Sequence, residues 1–290
     1  MKLILSRKGF DSSYGGMPSP ILPDGRIVPL PIPSRHDPTT LNDAFLPVDD
    51  LGALLAGLRG RKANISPTMP AHIDPVLERQ PRTRDWRPSL GQTGAAAGHL
   101  QKQNVGKGDV FLFFGWFRRV AQSNGGWVWE KNAPDIHLMF GWLEIAEIVP
   151  VVTDRSGSLQ KHPWLHDHPH VASPDHYTDS RNAVYIGASK SSYLGKDHLG
   201  GGRFTHFDDR LQLTAKNSGG RRSQWSLPKW FLPNGRTPLT YNRNPERWQL
   251  QDGRAFLNAA ARGQEFVLDT LEYPEAELWA DEVVRTGAGG

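Results

Sequence analysis

The sequence predicts an α+β fold: a largely antiparallel, aromatic-rich sheet or small barrel, with a few helices and many ordered loops. Three observations carry this. Residues 109–117 (DVFLFFGWF), 126–130 (GWVWE) and 137–152 are aromatic and β-branched runs separated by short turns, with Asn124-Gly125 as a hairpin signal. No regular crossover helices separate the strands, which argues against a doubly wound sheet. The 23 prolines and 30 glycines are spread along the chain, as expected of short elements joined by ordered loops.

The first strand is expected at 2–6. Residues 18–38 hold seven prolines, each removing a ladder donor, and read as extended loop and edge strand with a turn at Pro23-Asp24-Gly25. Asp49 or Asp50 is placed to cap a short helix over 51–58. Residues 59–92 are polar, rich in Pro and Arg, and read as irregular. Residues 93–104 (TGAAAGHLQKQN) read as a helix capped by Thr93 and ended by Gly106 and Gly108. The three aromatic runs then form an antiparallel meander, the third bending near Gly141; curvature of this kind closes small barrels. Further strands are expected at 183–188, 203–214 and 265–268, and a helix over 274–284 with Pro and Glu in its first turn. Residues 1–285 read as a single domain and 286–290 as a frayed or cloning-derived tail.

Composition narrows the chemistry. The 290 residues suffice to bury a sizeable core. Thirty-four basic against 30 acidic residues give +4, which permits a nucleic-acid partner without demanding one. Cysteine is absent, so disulfides, thiol nucleophiles, cysteine-zinc sites and iron–sulfur clusters are excluded. No apolar stretch approaches the roughly 18 residues of a membrane span. The opening apolar run is only Leu3 to Leu5, against about 7–15 residues in a secretory signal, so a cytoplasmic protein is expected. Nucleotide-loop, serine-hydrolase and zincin motifs are all missing.

The densest chemistry lies at 162–170 (HPWLHDHPH), with four histidines and one aspartate in nine residues. Its prolines argue for a loop, and His168-Pro169-His170 presents two imidazoles from a stiff segment; Asp167 is available to orient one. A second pattern is His72-Ile73-Asp74, whose first and third residues share a face if the segment is extended. Two histidines and a carboxylate with open positions form the ligand set of non-haem iron(II) oxygenases, with zinc as the other candidate ion. The polar turn after the first strand, with Asp11, Ser12 and Ser13, suits a substrate loop. Trp116 and Arg118 end the first meander strand and suit either stacking and gripping a nucleotide or a packed aromatic sheet face with arginine at its rim; the ten tryptophans likewise read as packing or as stacking surface. His99 lies on a helix whose small residues admit a substrate or a second backbone. His137 and His206 read as ligands or as ring-sized fillers. Gly200-Gly201-Gly202-Arg203 reads as a phosphate cradle or a flexible turn.

The opening 33 residues, MKLILSRKGFDSSYGGMPSPILPDGRIVPLPIP, resemble those of the nucleotide modification associated domain family, third type. The similarity continues through HIDP (72–75), GHLQKQNVGKGDVFLFFGWFR (98–118), HLMFGWLEI (137–145), HPH (168–170), NAVYIGA (182–188), SQWSLPKWFLP (223–233) and RGQEFVLD (262–269). The resemblance implies association with phage and bacterial systems that modify DNA bases or nucleotides. Carried over, its polar positions are Asp11, His72, Asp74, His99, His168, His170 and Glu265, leaving His162 and His166 as surface residues of this chain.

The expectation is therefore a metal-dependent oxidoreductase or oxygenase using iron(II), acting in a nucleotide or DNA modification pathway. His72, Asp74, His168 and His170 would hold the metal. Asp11 or Glu265 would orient substrate or move protons. Trp116, Arg118 and His99 would contact the substrate. The alternatives are a nucleic-acid-binding module that reads a modified base on an aromatic barrel surface, and a metal enzyme acting on a peptide or small metabolite.

Overall fold

A computed structural model describes residues 1–58, 65–79, 83 and 85–289. Part of the segment expected to be irregular, 59–64, 80–82 and 84, lies outside the described residues, as does the final residue of the expected tail. In chain order the elements are β1 (Lys2–Arg7), β2 (Ser19–Ile21), β3 (Ile32–Pro33), α1 (Leu51–Leu58), β4 (Ala71–His72), β5 (Ser89–Gln92), α2 (Gly94–Lys102), β6 (Val110–Ser123), β7 (Gly126–Trp129) and β8 (Ile136–Pro150). There follow α3 (Arg155–Lys161), α4 (Pro169–Ala172), β9 (Ala183–Gly187), β10 (Gly201–Arg203), β11 (Gln224–Pro228), β12 (Trp248–Gln251), β13 (Arg254–Asn258), β14 (Glu265–Asp269) and α5 (Glu275–Ala288).

The main sheet runs β14-β1-β6-β8-β9-β5, with β2 and β7 pairing along β6 and β10 along β8. Its pairings are antiparallel except β1–β6 and β2–β6. The path is open between β14 and β5, so the sheet does not close and the barrel alternative is corrected. The expected bend is present: Phe113 pairs with Gly141 but Phe114 with Met139, leaving Phe140 as an extra residue in β8. A Cβ on Gly141 would sit 2.5 Å from Leu77 and 2.9 Å from the Gly202 carbonyl, so only glycine lets β10 and the 77 segment approach there.

The aromatic runs are core. Phe111, Phe113, Phe114, Phe117 and Trp142 are buried, while Trp116, Trp127 and Trp129 are half-buried. Phe114 is a hub, edge-on to Trp225 (5.1 Å) and His137 (5.3 Å) and stacked on Phe266 (6.1 Å). Phe114→Ala is expected to cost about 3–5 kcal/mol, read as a shifted denaturant midpoint. A loss below about 1 kcal/mol would contradict the hub role.

Other elements differ from expectation. Residues 203–214 are not one strand: β10 ends at Arg203, and a 3-10 turn over Asp209–Leu211 interrupts the rest. A second sheet, β11-β13-β12, goes unread in the sequence. Its signal was Asp252-Gly253, both at positive φ (51° and 71°), a hairpin dipeptide between short strands. Thr93 occupies the cap position of α2 without a side-chain cap hydrogen bond. The last helix runs to Ala288, with the buried Gly287 packed on Phe204, so 286–288 are helical rather than frayed.

Candidate functional site

Four distant segments meet at one point. Ile32 of β3 pairs with His72 of β4 and fixes the backbone there. Asp74 then donates its N–H to the His72 carbonyl at 3.0 Å. That tight turn, not the alternation of an extended strand, returns the Asp74 side chain toward His72. Gly91 of β5 donates its N–H to Asp74 Oδ1 at 2.7 Å. His168 and His170 come from a segment expected to be a loop because of its prolines. The structure corrects this: Pro163 opens a 3-10 helix and Pro169 is the first residue of α4. Proline is forbidden in a helix interior, but the first turn accepts it because its missing N–H is not needed there.

Asp74 faces three imidazoles. Its Oδ2 lies 3.8 Å from His72 Nε2 and 3.9 Å from His170 Nε2, while Oδ1 lies 3.6 Å from His168 Nε2. These are too long for hydrogen bonds. The ligand atoms of His72, Asp74 and His170 lie within 4.8 Å of one another. Donors sharing an ion at about 2.1 Å each are roughly 3.0–3.5 Å apart, so a small closure suffices for a divalent cation.

Hydrogen bonds set which nitrogen carries each proton. His72 Nδ1 is 3.2 Å from both oxygens of the buried Asp37 carboxylate, which can only accept. A hydrogen bond to that carboxylate puts the proton on Nδ1, and the Tyr177 hydroxyl, 2.9 Å from the same nitrogen, then takes the acceptor's part. His170 Nδ1 is 2.7 Å from Asn182 Oδ1, whose amide nitrogen is already committed to the carbonyls of His170 and Tyr177. Both rings thus present a bare Nε2 lone pair toward Asp74 Oδ2, the second-sphere arrangement usual for metal-binding histidines. His168 is reversed. Its Nδ1 accepts from the His170 N–H at 3.3 Å, which leaves the proton on Nε2, a buried atom without a partner that points at Oδ1.

Burial holds the His168 and His170 rings neutral. It pushes His168 down to about 3 and His170 to about 4, with Asp74 opposing. Burial would raise Asp37, but its hydrogen bond to His72 prevails and holds it below the usual carboxylate range. Between the ordinary value of 6.5 and these depressed values, the unfolded chain binds protons that the folded chain refuses. Stability from the neutral rings is therefore full above about pH 6.5 and falls with pH through that window, by about 1.4 kcal/mol per unit for each ring. Metal-free protein is expected to lose denaturant midpoint as the pH falls from about 6.5 to 5. A flat profile would contradict the neutral-ring assignment.

His72, Asp74 and His170 line a cleft of about 980 Å³. Arg7, Lys8 and Arg35 bring positive charge to its lining beside the carboxylates of Asp11 and Asp74, and Gln92 adds a neutral amide. Tyr177 stacks on His170 with ring centres 4.3 Å apart.

The remaining candidates are scattered. Asp11 lines the cleft, but its Oδ1 accepts the N–H groups of Ser13 and Tyr14 at 2.7 Å each and closes its own turn. Glu265 is buried behind the wall, where Lys8 pairs with it at 3.0 Å and Gln92 donates to it; it orients those two cleft residues. His99 lies outside the cleft lining, bonded to Thr240 Oγ1 at 3.1 Å and packed on Tyr241. Arg118 faces Asp135 (4.0 Å) and Trp129 and also lies outside the lining. Trp116 lines an adjoining cavity. His137 is a buried filler whose Nδ1 accepts from Trp225 Nε1. His162 is not on the surface: it is buried, 3.2 Å from Glu147, whereas His166 is exposed. Asp167 pairs with Arg79 and His166 rather than orienting a cleft histidine. The glycine run is no phosphate cradle, since Gly201 and Gly202 pair with β8 and Arg203 pairs with Glu78. Asp37, Gly91, Tyr177 and Asn182 were missed, because no motif spacing links them to the histidines.

The family model described as nucleotide modification associated domain 3 matches residues 2–269, a span that includes the whole cluster. No curated protein and no solved structure matches the chain. Among the described residues, no helix is long and apolar enough to cross a membrane.

Proposed function

The chain belongs to the nucleotide modification associated domain 3 family, and from that premise we propose that it is a divalent-metal-dependent enzyme, using iron(II), that modifies a nucleotide or a nucleic-acid base. The observation that supports it best is the pair of bare Nε2 lone pairs on His72 and His170 aimed at one oxygen of Asp74. Those three groups would hold the ion. Two nitrogens and one carboxylate oxygen with open positions suit iron(II), and zinc accepts the same donors. A bound ion supplies Lewis-acid activation of substrate or, as iron, of dioxygen.

The chain's own residues do the rest. Asp37 and Asn182 fix the ligand tautomers. The Gly91 N–H holds Asp74 Oδ1, which His168 Nε2 faces at 3.6 Å, and Oδ2 is left for the ion. Lys8, paired with the buried Glu265, would offer an ammonium donor on the cleft wall to an anionic substrate. The Tyr177 phenol, raised by burial, stays protonated beside the two ligand rings.

The test incubates iron(II)-loaded protein in air with deoxynucleotides, a single-stranded oligonucleotide and a peptide mixture in parallel, with product mass as the readout. A mass change in a nucleotide or oligonucleotide arm, lost in His170→Ala, is expected. Change in the peptide arm alone, or equal change in the variant, would overturn the reading.

A further inference from the structure

Beside the cleft, and sharing Arg7 and Asp11 with it, lies a second cavity of about 440 Å³. Arg7, Arg221 and Arg222 line it, and none of the three makes an ion pair among the described residues. Asp11, the carboxylate on that wall, already accepts two backbone N–H groups. The Arg222 guanidinium lies 4.2 Å from the ring centre of Trp116, which fixes its place on the wall. The Arg7 guanidinium is anchored on the carbonyls of Ala260 and Ala261, at 3.0 and 2.8 Å. The neutral His137 ring also lines the cavity; its Nδ1 accepts from Trp225 at 2.9 Å, so its proton is on Nε2. Burial first, and then the like charge of Arg222, lower Arg7 from its ordinary value against the opposing carboxylate of Asp11, and a bound anion would offset both. Guanidiniums beside hydroxyls of Ser12 and Ser13 match the oxygens of a phosphate ester.

We propose that this cavity is the phosphate subsite of the cleft: it takes the phosphate of a nucleotide, free or within a strand, whose reacting part lies against the His72–Asp74–His170 cluster. The inference rests on the reading of the substrate as a nucleotide or nucleic acid and adds which chain residues select it.

The test is calorimetric titration with thymidine and with its 5′-monophosphate, beside a fluorescent single-stranded ten-nucleotide probe. The monophosphate, the strand or both are expected to bind at least about tenfold tighter than thymidine, as one or two charge-assisted hydrogen bonds imply. Preference for the monophosphate marks a free nucleotide and preference for the strand marks a nucleic acid. Arg222→Gln is expected to remove most of that gap. Arg221→Gln, at an exposed residue, does the same work if Arg222→Gln fails to fold. Equal binding of all three probes, no binding, or a gap unchanged in both variants would overturn the subsite. Metal content of the same samples separates the two readings: metal-free protein that keeps the phosphate preference sinks only the metal, and loaded protein without the preference sinks only the subsite.

Discussion

Asp74→Asn is expected to weaken binding of a divalent ion by more than about 100-fold while leaving the fold intact. Asparagine keeps the shape and can still accept the Gly91 N–H at 2.7 Å. It removes the negative charge that faces both bare Nε2 atoms, and charge on the ligand is what offsets loss of the ion's water. Asp37→Asn is expected to cost less, about 10–100-fold, because it disturbs the His72 tautomer without touching the ion. His168→Gln is expected to leave affinity within about tenfold of the wild type, since that ring turns its N–H, not a lone pair, toward Asp74. Competition between protein and a chromophoric chelator for cobalt(II) measures all three. An Asp74→Asn affinity within tenfold of the wild type, or a His168→Gln loss as large as that of His170→Ala, would contradict the ligand assignment.

Gly91→Ala is expected to damage stability and site together. A Cβ there would fall 2.2 Å from His170 Cδ2 and 2.7 Å from Nε2. The ring cannot step aside cheaply, because Tyr177 stacks on it and Asn182 holds its Nδ1 at 2.7 Å. Overpacking of this kind costs about 1–3 kcal/mol, roughly 2–10 °C in Tm for a chain of this size. The displaced imidazole also leaves the cluster, so cobalt(II) binding falls with it. Gly106→Ala is the control, since a Cβ there meets nothing within 4 Å. A Gly91→Ala protein with wild-type Tm and wild-type metal binding would contradict the packing described around His170.

Much of the sheet was legible because its strands are long and strongly patterned. The runs that became β6 and β8 carry more apolar and aromatic residues than any loop needs, and the bend at Gly141 is marked by glycine among large residues. The second sheet was illegible because its strands are four or five residues long and depend on each other for burial. The residues of the cluster were nameable in the sequence, but not for the right reason. His72 and Asp74 converge through a turn, and His168 and His170 through a single helical turn begun by proline. Their supports were invisible, because Asp37 and Asn182 act through tertiary contacts that span 35 and 12 residues and leave no periodic trace. Trp116 and Arg118 show the limit of reading pairs: they are two residues apart on β6, yet one lines a cavity and the other sits on Trp129.

The most direct test of the central claim is elemental analysis of untagged protein after anaerobic loading with iron(II), beside His72→Ala and His170→Ala. One ion per chain in the wild type and none in either variant is the predicted result, since β4 and α4 then contribute to one site. A wild type that takes up no ion, or variants that keep it, would contradict the claim that these segments together form a metal centre.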